Sequence, residues 1–146
     1  SVCRVILVAM ISASVAGLLA DTTRGLSGRT RPNSGLEAGW FGPRHESRWV
    51  LGDARYHSFP SGHTATATGL VTSILIARRR LGFILLPLPL TVAAARICVG
   101  AHYFSDTVAG AALGAATALA LARYSSKVPI ARNPSPLSSN TSRLTG

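Results

Sequence analysis

The residues best suited to chemistry are His63, at the end of Pro60-Ser61-Gly62-His63, and His102, which is followed four residues later by Asp106. Histidine is the common side chain that exchanges a proton near neutral pH without a large change in its environment. If residues 102–106 are helical, His102 and Asp106 share a face, and the carboxylate accepts a hydrogen bond from one imidazole nitrogen. The other nitrogen is then an oriented nucleophile. The pattern indicates nucleophilic catalysis coupled to proton transfer.

The segment before His63 has the features of an anion site. Pro60 presets its backbone angle and lacks an amide proton, which suits a helix entrance with Ser61 as its cap. The first amides of a helix have no internal partner, so Ser61, Gly62 and His63 offer N–H groups to an anion. Gly62 has no side chain to block the approach. Taken alone, the motif is more often an ordinary turn with a structural histidine than an anion site.

Three arginines add a preference for phosphate. Arg96 lies with His102 among apolar residues at a predicted membrane boundary, where a charged side chain is costly and marks function by default. Arg24 and Arg31 stand seven residues apart in the preceding polar segment. A guanidinium group binds two phosphate oxygens at once and stabilises the negative charge that develops on them in a transition state.

Composition favours a membrane protein of one domain. The 146 residues are 47% hydrophobic and only 14% charged, and the net charge of +10 comes almost entirely from arginine. Nucleic acid is not expected as a partner, because the arginines alternate with apolar runs and form no basic face interleaved with aromatic residues. Anionic lipid is the better match.

Four apolar segments predict an all-α transmembrane bundle of about four spans, at residues 2–20, 61–77, 81–100 and 107–122. A cleaved signal peptide would resemble the first segment, but without it too little apolar sequence remains for a bundle. Gly110 and Gly114 in the last segment allow another helix to approach closely, and a homo-oligomer is compatible with this face. We expect a membrane domain over residues 1–124 and a disordered tail over 125–146.

The three motifs, in this order and spacing, resemble the signature of the type 2 phosphatidic acid phosphatase superfamily, which shares its pocket with the vanadium haloperoxidases. The resemblance implies a helical bundle and a phosphatase that needs no metal or cofactor. His102 would attack phosphorus to form a phosphohistidine, Asp106 would orient and charge His102, and His63 would protonate the leaving oxygen. The groups implied to bind the phosphoryl oxygens are Arg24, Arg31, Ser61, Gly62 and Arg96.

The resemblance also implies a substrate and a location. The substrate would be a lipid phosphate or diphosphate, such as phosphatidic acid, phosphatidylglycerol phosphate or a polyprenyl diphosphate. We expect a multi-pass protein of the bacterial inner membrane with the active site on its outer face, although arginines on both sides of the spans do not determine the orientation.

The chain departs from the family pattern at three points. Arg24 stands where the family usually has lysine, and Ala95 replaces the usual serine before Arg96. Bacterial membrane members typically have six spans, and nothing here corresponds to the first two.

Three alternatives remain open. A vanadate-dependent haloperoxidase would use the same residues. A metal site of His63, His102 and Asp106 is disfavoured because Arg96 would repel a cation. A truncated or non-catalytic relative would bind anionic lipid without turnover.

The other charged residues of the loop, Arg29 among them, are expected either to select a lipid head group or to form ordinary surface pairs. For His45 and His57 we expect solvated or structural roles.

Overall fold

The computed structural model describes residues 2–127, most of which are helical. The elements in chain order are helix α1 (Val2–Ser27), strands β1 (Arg44–His45) and β2 (Arg48–Trp49), a 3-10 turn (Ala54–Tyr56), and helices α2 (Gly62–Ala77), α3 (Arg79–Leu85), α4 (Pro87–Cys98) and α5 (Phe104–Lys127). The predicted tail falls mostly on residues 128–146, which lie outside the described residues. Residues 125–127 still belong to α5.

The all-α membrane bundle predicted from the apolar pattern is confirmed. Three stretches among the described residues are long and apolar enough to cross a membrane, namely Val2–Ser27, Arg79–Cys98 and Phe104–Ser126. The predicted second span corresponds to α2, which has 16 residues and is shorter than these three. Helix α2 lies at the centre of the bundle, in contact with α1, α3, α4 and α5.

The first helix is longer than its apolar run. It ends at Ser27 rather than Ala20, so Arg24 lies in its last turn and not in the loop where the sequence placed it. The polar residues of the last two turns form their own local contacts: Thr22 and Thr23 donate hydrogen bonds to backbone carbonyls one turn earlier. This extension brings Arg24 onto a rigid element.

The third apolar segment is divided at its prolines. Helix α3 ends at Leu85 and α4 begins at Pro87, which occupies the first helical position, where a missing amide proton costs nothing. Leu86 between them keeps α-helical backbone angles, so the two helices follow one another within a single apolar stretch.

Small residues form the centre of the bundle. Ala16 and Ala20 of α1 pack against Ala65 of α2 in one buried cluster. A side chain at Gly110 would overlap the carbonyl oxygen of Ser61, just before α2, and one at Gly114 that of Ala65, so α5 approaches α2 backbone to backbone. The predicted role of this small-residue face is confirmed within the chain. Large apolar side chains such as Ile6, Met10 and Leu90 lie on the outside of the bundle, as a lipid environment requires; their exposed fractions are 54%, 60% and 70%.

Candidate active site

His102 is one of three predicted site residues whose side chains are fully enclosed, with Ser61 and Asp106. Its side chain is 1% exposed, and its Nδ1 lies 2.6 Å from the backbone oxygen of Ser58. A carbonyl oxygen only accepts hydrogen bonds, so Nδ1 carries a proton, and in the neutral ring Nε2 carries the lone pair. Within residues 2–127, Nε2 is buried and has no hydrogen-bond partner. The nitrogen required for nucleophilic attack is therefore the free one.

Asp106 does not make the expected hydrogen bond to His102. Its Oδ2 lies 3.8 Å from Nδ1 of His102, too far for a hydrogen bond. The helical spacing rule fails here because His102 lies in the turn before α5, which begins at Phe104. Asp106 instead accepts hydrogen bonds from the Ser58 hydroxyl, at 2.6 Å, and from the Tyr103 amide, at 2.8 Å.

The contact with Tyr103 is half of a capping box, in which a side chain in the first helical turn accepts from the amide just before the helix. Asp106 is completely buried, and its second oxygen pairs with Arg29. The carboxylate therefore supports His102 indirectly, by holding Ser58, and by its charge.

The start of α2 has the predicted form with one difference. Ser61 is extended and precedes Gly62, the first residue of the helix. The Ser61 amide donates to the Asp106 carbonyl oxygen at 2.9 Å, so it is not available to an anion. The Ser61 hydroxyl does not cap the helix and instead lies 3.0 Å from the Thr64 hydroxyl. The amides of Gly62 and His63 remain as the anion donors, because the first amides of a helix have no internal partner.

The three predicted arginines are brought together around His63. The charges of Arg24, Arg31 and Arg96 all act on this imidazole, as does that of His102. Among the described residues, the Nε atoms of Arg31 and Arg96 are buried and have no hydrogen-bond partner. Burial, followed by the charge of Arg96, lowers the pKa of Arg31. Positive groups held this closely favour a bound anion with several oxygens.

Arg24 has a partner that the sequence did not indicate. It forms an ion pair with Asp21, one helical turn earlier, and the Asp21 side chain is 60% exposed. A Cβ atom added at Gly62 would lie 3.3 Å from both Arg24 Nη2 and Asp21 Oδ1. The absence of a side chain at Gly62 therefore allows the guanidinium to lie against the first turn of α2.

Backbone hydrogen bonds fix the polar loop over the bundle. The Arg31 amide donates to the Arg55 carbonyl oxygen at 2.8 Å, and the Asn33 amide donates to that of Gly100 at 3.0 Å. Gly100 has a φ of 67°, a conformation that favours glycine. This tight turn lets the loop approach the segment between Arg96 and His102.

A cavity of about 440 Å³ opens beside the site. Its polar end is formed by Asp21, Arg24, Gly62 and His63, and its apolar part includes Leu70, Leu88 and Val92. This is the arrangement that an amphiphile with a phosphate group requires. A larger cavity of about 800 Å³, bounded mainly by apolar residues and by Arg78–Arg80, contains none of the motif residues.

The sequence did not predict a role for Ser58, and for Arg29 it predicted only selection of a lipid head group or an ordinary surface pair. Ser58 stands two residues before Pro60 and Arg29 two before Arg31, and neither spacing indicated a contact with Asp106. His45 has a structural role, since its Nδ1 lies 3.1 Å from the Tyr56 hydroxyl. No group of three His, Cys, Asp or Glu side chains within residues 2–127 is placed to hold a metal ion.

Comparison with known proteins agrees with the fold and identifies the family. The model of the PAP2 superfamily matches residues 2–129. Two relatives named lipid A 1-phosphatase, from Rhizobium etli and Rhizobium johnstonii, are each 38% identical to the chain over 100 and 101 residues. The alignments cover 67% and 68% of this chain but 40% and 39% of the relatives, so the chain spans about two fifths of their length. No solved structure gives a significant match. Because the family model covers nearly the whole chain, the chain belongs to the PAP2 superfamily, the type 2 phosphatidic acid phosphatase superfamily that its motifs resemble.

Proposed function

We propose that this chain carries the active site of a membrane phosphatase that hydrolyses a lipid phosphate through a phosphohistidine on His102. The observation that carries the proposal is the state of this imidazole. Its Nδ1 is committed to the Ser58 carbonyl oxygen, and its buried Nε2 has no hydrogen-bond partner among the described residues. A buried imidazole with an unshared lone pair matches nucleophilic attack on a phosphoryl group. His102 and the three arginines all act on the neighbouring His63.

In the first step, the Nε2 lone pair of His102 forms a bond to phosphorus, and the bond between phosphorus and the lipid oxygen breaks. His63, in its protonated form, gives its proton to the departing oxygen, so the lipid leaves as an alcohol. His63 lines the cavity beside Gly62, where a leaving group would lie.

In the second step, water attacks the phosphohistidine. The now neutral His63 accepts a proton from the water, the bond between phosphorus and Nε2 breaks, and inorganic phosphate is released. Arg24, Arg31 and Arg96 neutralise the charge on the phosphoryl oxygens in both steps, with the Gly62 amide as an additional donor. These groups are already cationic, and the reaction as written needs no metal ion.

The cavity supports a lipid substrate. Its polar end holds His63 and two of the proposed phosphate-binding groups, Arg24 and Gly62. Leu70, Leu88 and Val92 form its apolar part, a surface for an acyl or prenyl chain. The names of the two Rhizobium relatives add the phosphorylated glycolipid lipid A to the expected classes, phosphatidic acid, phosphatidylglycerol phosphate and polyprenyl diphosphate. We propose that the protein lies in a bacterial inner membrane with the site on the outer face. The proposed reaction is compatible with a monomer and with a homo-oligomer.

The test follows phosphate release from the detergent-solubilised full chain with phosphatidic acid, lipid A and a polyprenyl diphosphate in parallel. We expect release from at least one lipid, unaffected by EDTA and inhibited by vanadate, an analogue of the pentacoordinate phosphoryl group. His102→Ala should abolish it. A substrate labelled on phosphorus should leave an acid-labile label on the His102 peptide after rapid quenching.

The matched control is His45→Ala, which removes a histidine whose partner is Tyr56 and should retain release. Circular dichroism melting would show that each variant is folded. Folded wild-type protein with no release from any lipid would favour a non-catalytic, lipid-binding relative. Release abolished by EDTA would favour a metal site, and full activity in His102→Ala would exclude the phosphohistidine.

A further inference from the structure

Arg29 is held in one orientation next to the catalytic centre. Its guanidinium lies 4.6 Å from the ring centroid of Trp40 and 4.4 Å from that of Tyr103, and such stacking favours a cation. Its Nη1 donates to the Ser105 hydroxyl at 2.8 Å and to Asp106 Oδ1. The side chain is only 16% exposed. These contacts distinguish Arg29 from a solvated surface charge.

Arg29 also belongs to a closed ring of hydrogen bonds. The carbonyl oxygen of Arg29 accepts a hydrogen bond from the Ser58 amide at 3.0 Å, and the Ser58 hydroxyl donates one to Asp106 at 2.6 Å. The ring closes because the Arg29 side chain donates a hydrogen bond to the other oxygen of Asp106. The Ser58 carbonyl oxygen is not used in this ring and accepts a hydrogen bond from Nδ1 of His102. The ring therefore fixes the acceptor that determines which nitrogen of His102 carries the proton.

The charge of Arg29 has a second consequence. Asp106 is completely buried, and its Oδ2 lies 3.8 Å from Nδ1 of His102. An uncompensated carboxylate at this distance would stabilise the protonated imidazole, which has no lone pair for attack. Pairing with Arg29 reduces that effect while leaving Asp106 in place to hold Ser58.

We propose that Arg29 is a positioning residue for the nucleophile: through Ser58 and Asp106 it keeps His102 in the neutral form with Nε2 free. The inference rests on the proposed function, in which His102 attacks phosphorus. Arg29 acts through other residues and is not assigned to the phosphate-binding set of Arg24, Arg31 and Arg96.

The charged groups around His102 come from every element packed there, so the test must separate Arg29 from the others. Asp106 from α5 lies next to His102 and pairs with Arg29 from the loop. His63 from α2 interacts with His102 and with Arg24 from α1, Arg96 from α4 and Arg31 from the loop. If Arg29 acts by pairing with Asp106, the effect of replacing Arg29 on the pH profile should depend on whether residue 106 carries a charge.

The experiment compares Arg29→Gln, Arg29→Lys and the control Arg48→Gln, in steady-state assays with the lipid that the wild-type chain hydrolyses, from pH 5 to 9. In Arg29→Gln we expect kcat to fall about tenfold or more at pH 6. The acidic limb of the plot of kcat against pH should move to higher pH. KM and the vanadate inhibition constant should stay within about twofold of wild type, because the phosphate-binding arginines are intact. Arg29→Lys should return the limb toward its wild-type position. Arg48→Gln removes an exposed arginine that pairs loosely with Asp53, at 3.7 Å, and should have no effect.

A double-mutant cycle with Asp106→Asn isolates the pair. With residue 106 neutral, Arg29→Gln should no longer shift the acidic limb. The double variant also removes the unpaired buried charge that would destabilise Arg29→Gln, so it provides the comparison if the single variant does not fold. An equal shift in both backgrounds would overturn the proposal. A raised KM and vanadate constant with an unmoved limb would make Arg29 a phosphate ligand instead, and loss of kcat in proportion to unfolded protein would make it merely structural.

A measurement without turnover separates this inference from the proposed function. NMR of histidine-labelled protein, with the His102 signal assigned by its loss in His102→Asn, follows the protonation of this ring directly. Arg29→Gln should move its titration midpoint to higher pH relative to wild type. An unchanged titration midpoint would refute the proposed role of Arg29, even if the enzyme is active. A shifted midpoint in a chain that releases no phosphate would refute the proposed phosphatase function and leave the effect of Arg29 on His102 intact.

Discussion

The backbone oxygen of Ser58 lies 2.6 Å from Nδ1 of His102 and is its hydrogen-bond acceptor. A main-chain carbonyl, rather than a carboxylate, thus sets the tautomer of the candidate nucleophile. A carbonyl oxygen carries no titratable proton in the working pH range, so the acceptor itself does not change its protonation with pH.

The first prediction concerns Asp106→Asn. The amide oxygen of asparagine is able to accept from the Ser58 hydroxyl, and the Ser58 carbonyl still holds His102, so kcat should fall only about 10- to 100-fold. His102→Ala should abolish turnover in the same assay. Equal losses in the two variants would mean that Asp106 acts on His102 directly.

The second prediction concerns His63 as the acid. His63→Ala should lower kcat for an alkyl phosphate about 10²- to 10⁴-fold, because the leaving alkoxide then lacks a proton donor. A nitrophenyl phosphate has a leaving group that is stable as an anion, and its hydrolysis should fall much less. Steady-state rates with both substrates test this. Equal losses would assign His63 to phosphate binding or to the water step rather than to protonation of the leaving group.

The third prediction concerns the close approach at Gly62. In Gly62→Ala, the new Cβ would lie 3.3 Å from Arg24 Nη2, so the guanidinium must shift by a few tenths of an ångström on the first turn of α2. The vanadate inhibition constant should rise about tenfold, equivalent to about 1.4 kcal/mol. Gly52→Ala is the matched control, because a Cβ there meets no atom within 4 Å among the described residues. Similar constants for both variants would contradict the proposed contact.

The fourth prediction concerns the packing of α5 on α2. Alanine at Gly110 would overlap the Ser61 carbonyl oxygen, and such overpacking costs about 1–3 kcal/mol. The melting temperature in detergent should therefore fall, together with activity, because Ser61 and Gly62 would shift. In Gly25→Ala the new methyl meets only Leu51, at 3.6 Å, and the better helix propensity should leave stability unchanged or raise it by up to about 1 kcal/mol. A stable Gly110→Ala variant would show that the helices are less closely packed.

The fifth prediction concerns pH and His57. Burial, and then the charge of Arg24, lower the pKa of His57 from its ordinary value of 6.5. The unfolded chain therefore takes up a proton at a higher pH than the folded chain does, so stability is lost as the pH falls below 6.5. His57→Gln should reduce the decrease in melting temperature between pH 7 and 5. The control His45→Gln should retain it, and an unchanged decrease in His57→Gln would show that other groups cause the loss.

Local chemistry made several features predictable. The apolar runs indicated the helical bundle, Pro60 and Ser61 marked the start of α2, and Pro87 marked the break before α4. These are properties of neighbouring residues, since hydrophobic length, a missing amide proton and a preset backbone angle act within a few positions. The roles of Arg24, Arg31, Arg96, His63 and His102 remain predictions, and the structure brings these residues together.

The hydrogen bonds of the site were decided by tertiary structure. Helical spacing predicted a hydrogen bond between Asp106 and His102, but the helix begins after His102. The carboxylate accepts hydrogen bonds from Ser58 and Arg29 instead. Those partners lie 48 and 77 residues away along the chain. The sequence by itself determined which residues are able to do chemistry and roughly where the helices run. Only the folded chain decided which donor meets which acceptor, because the polar loop reaches Asp106 through packing that no local pattern encodes.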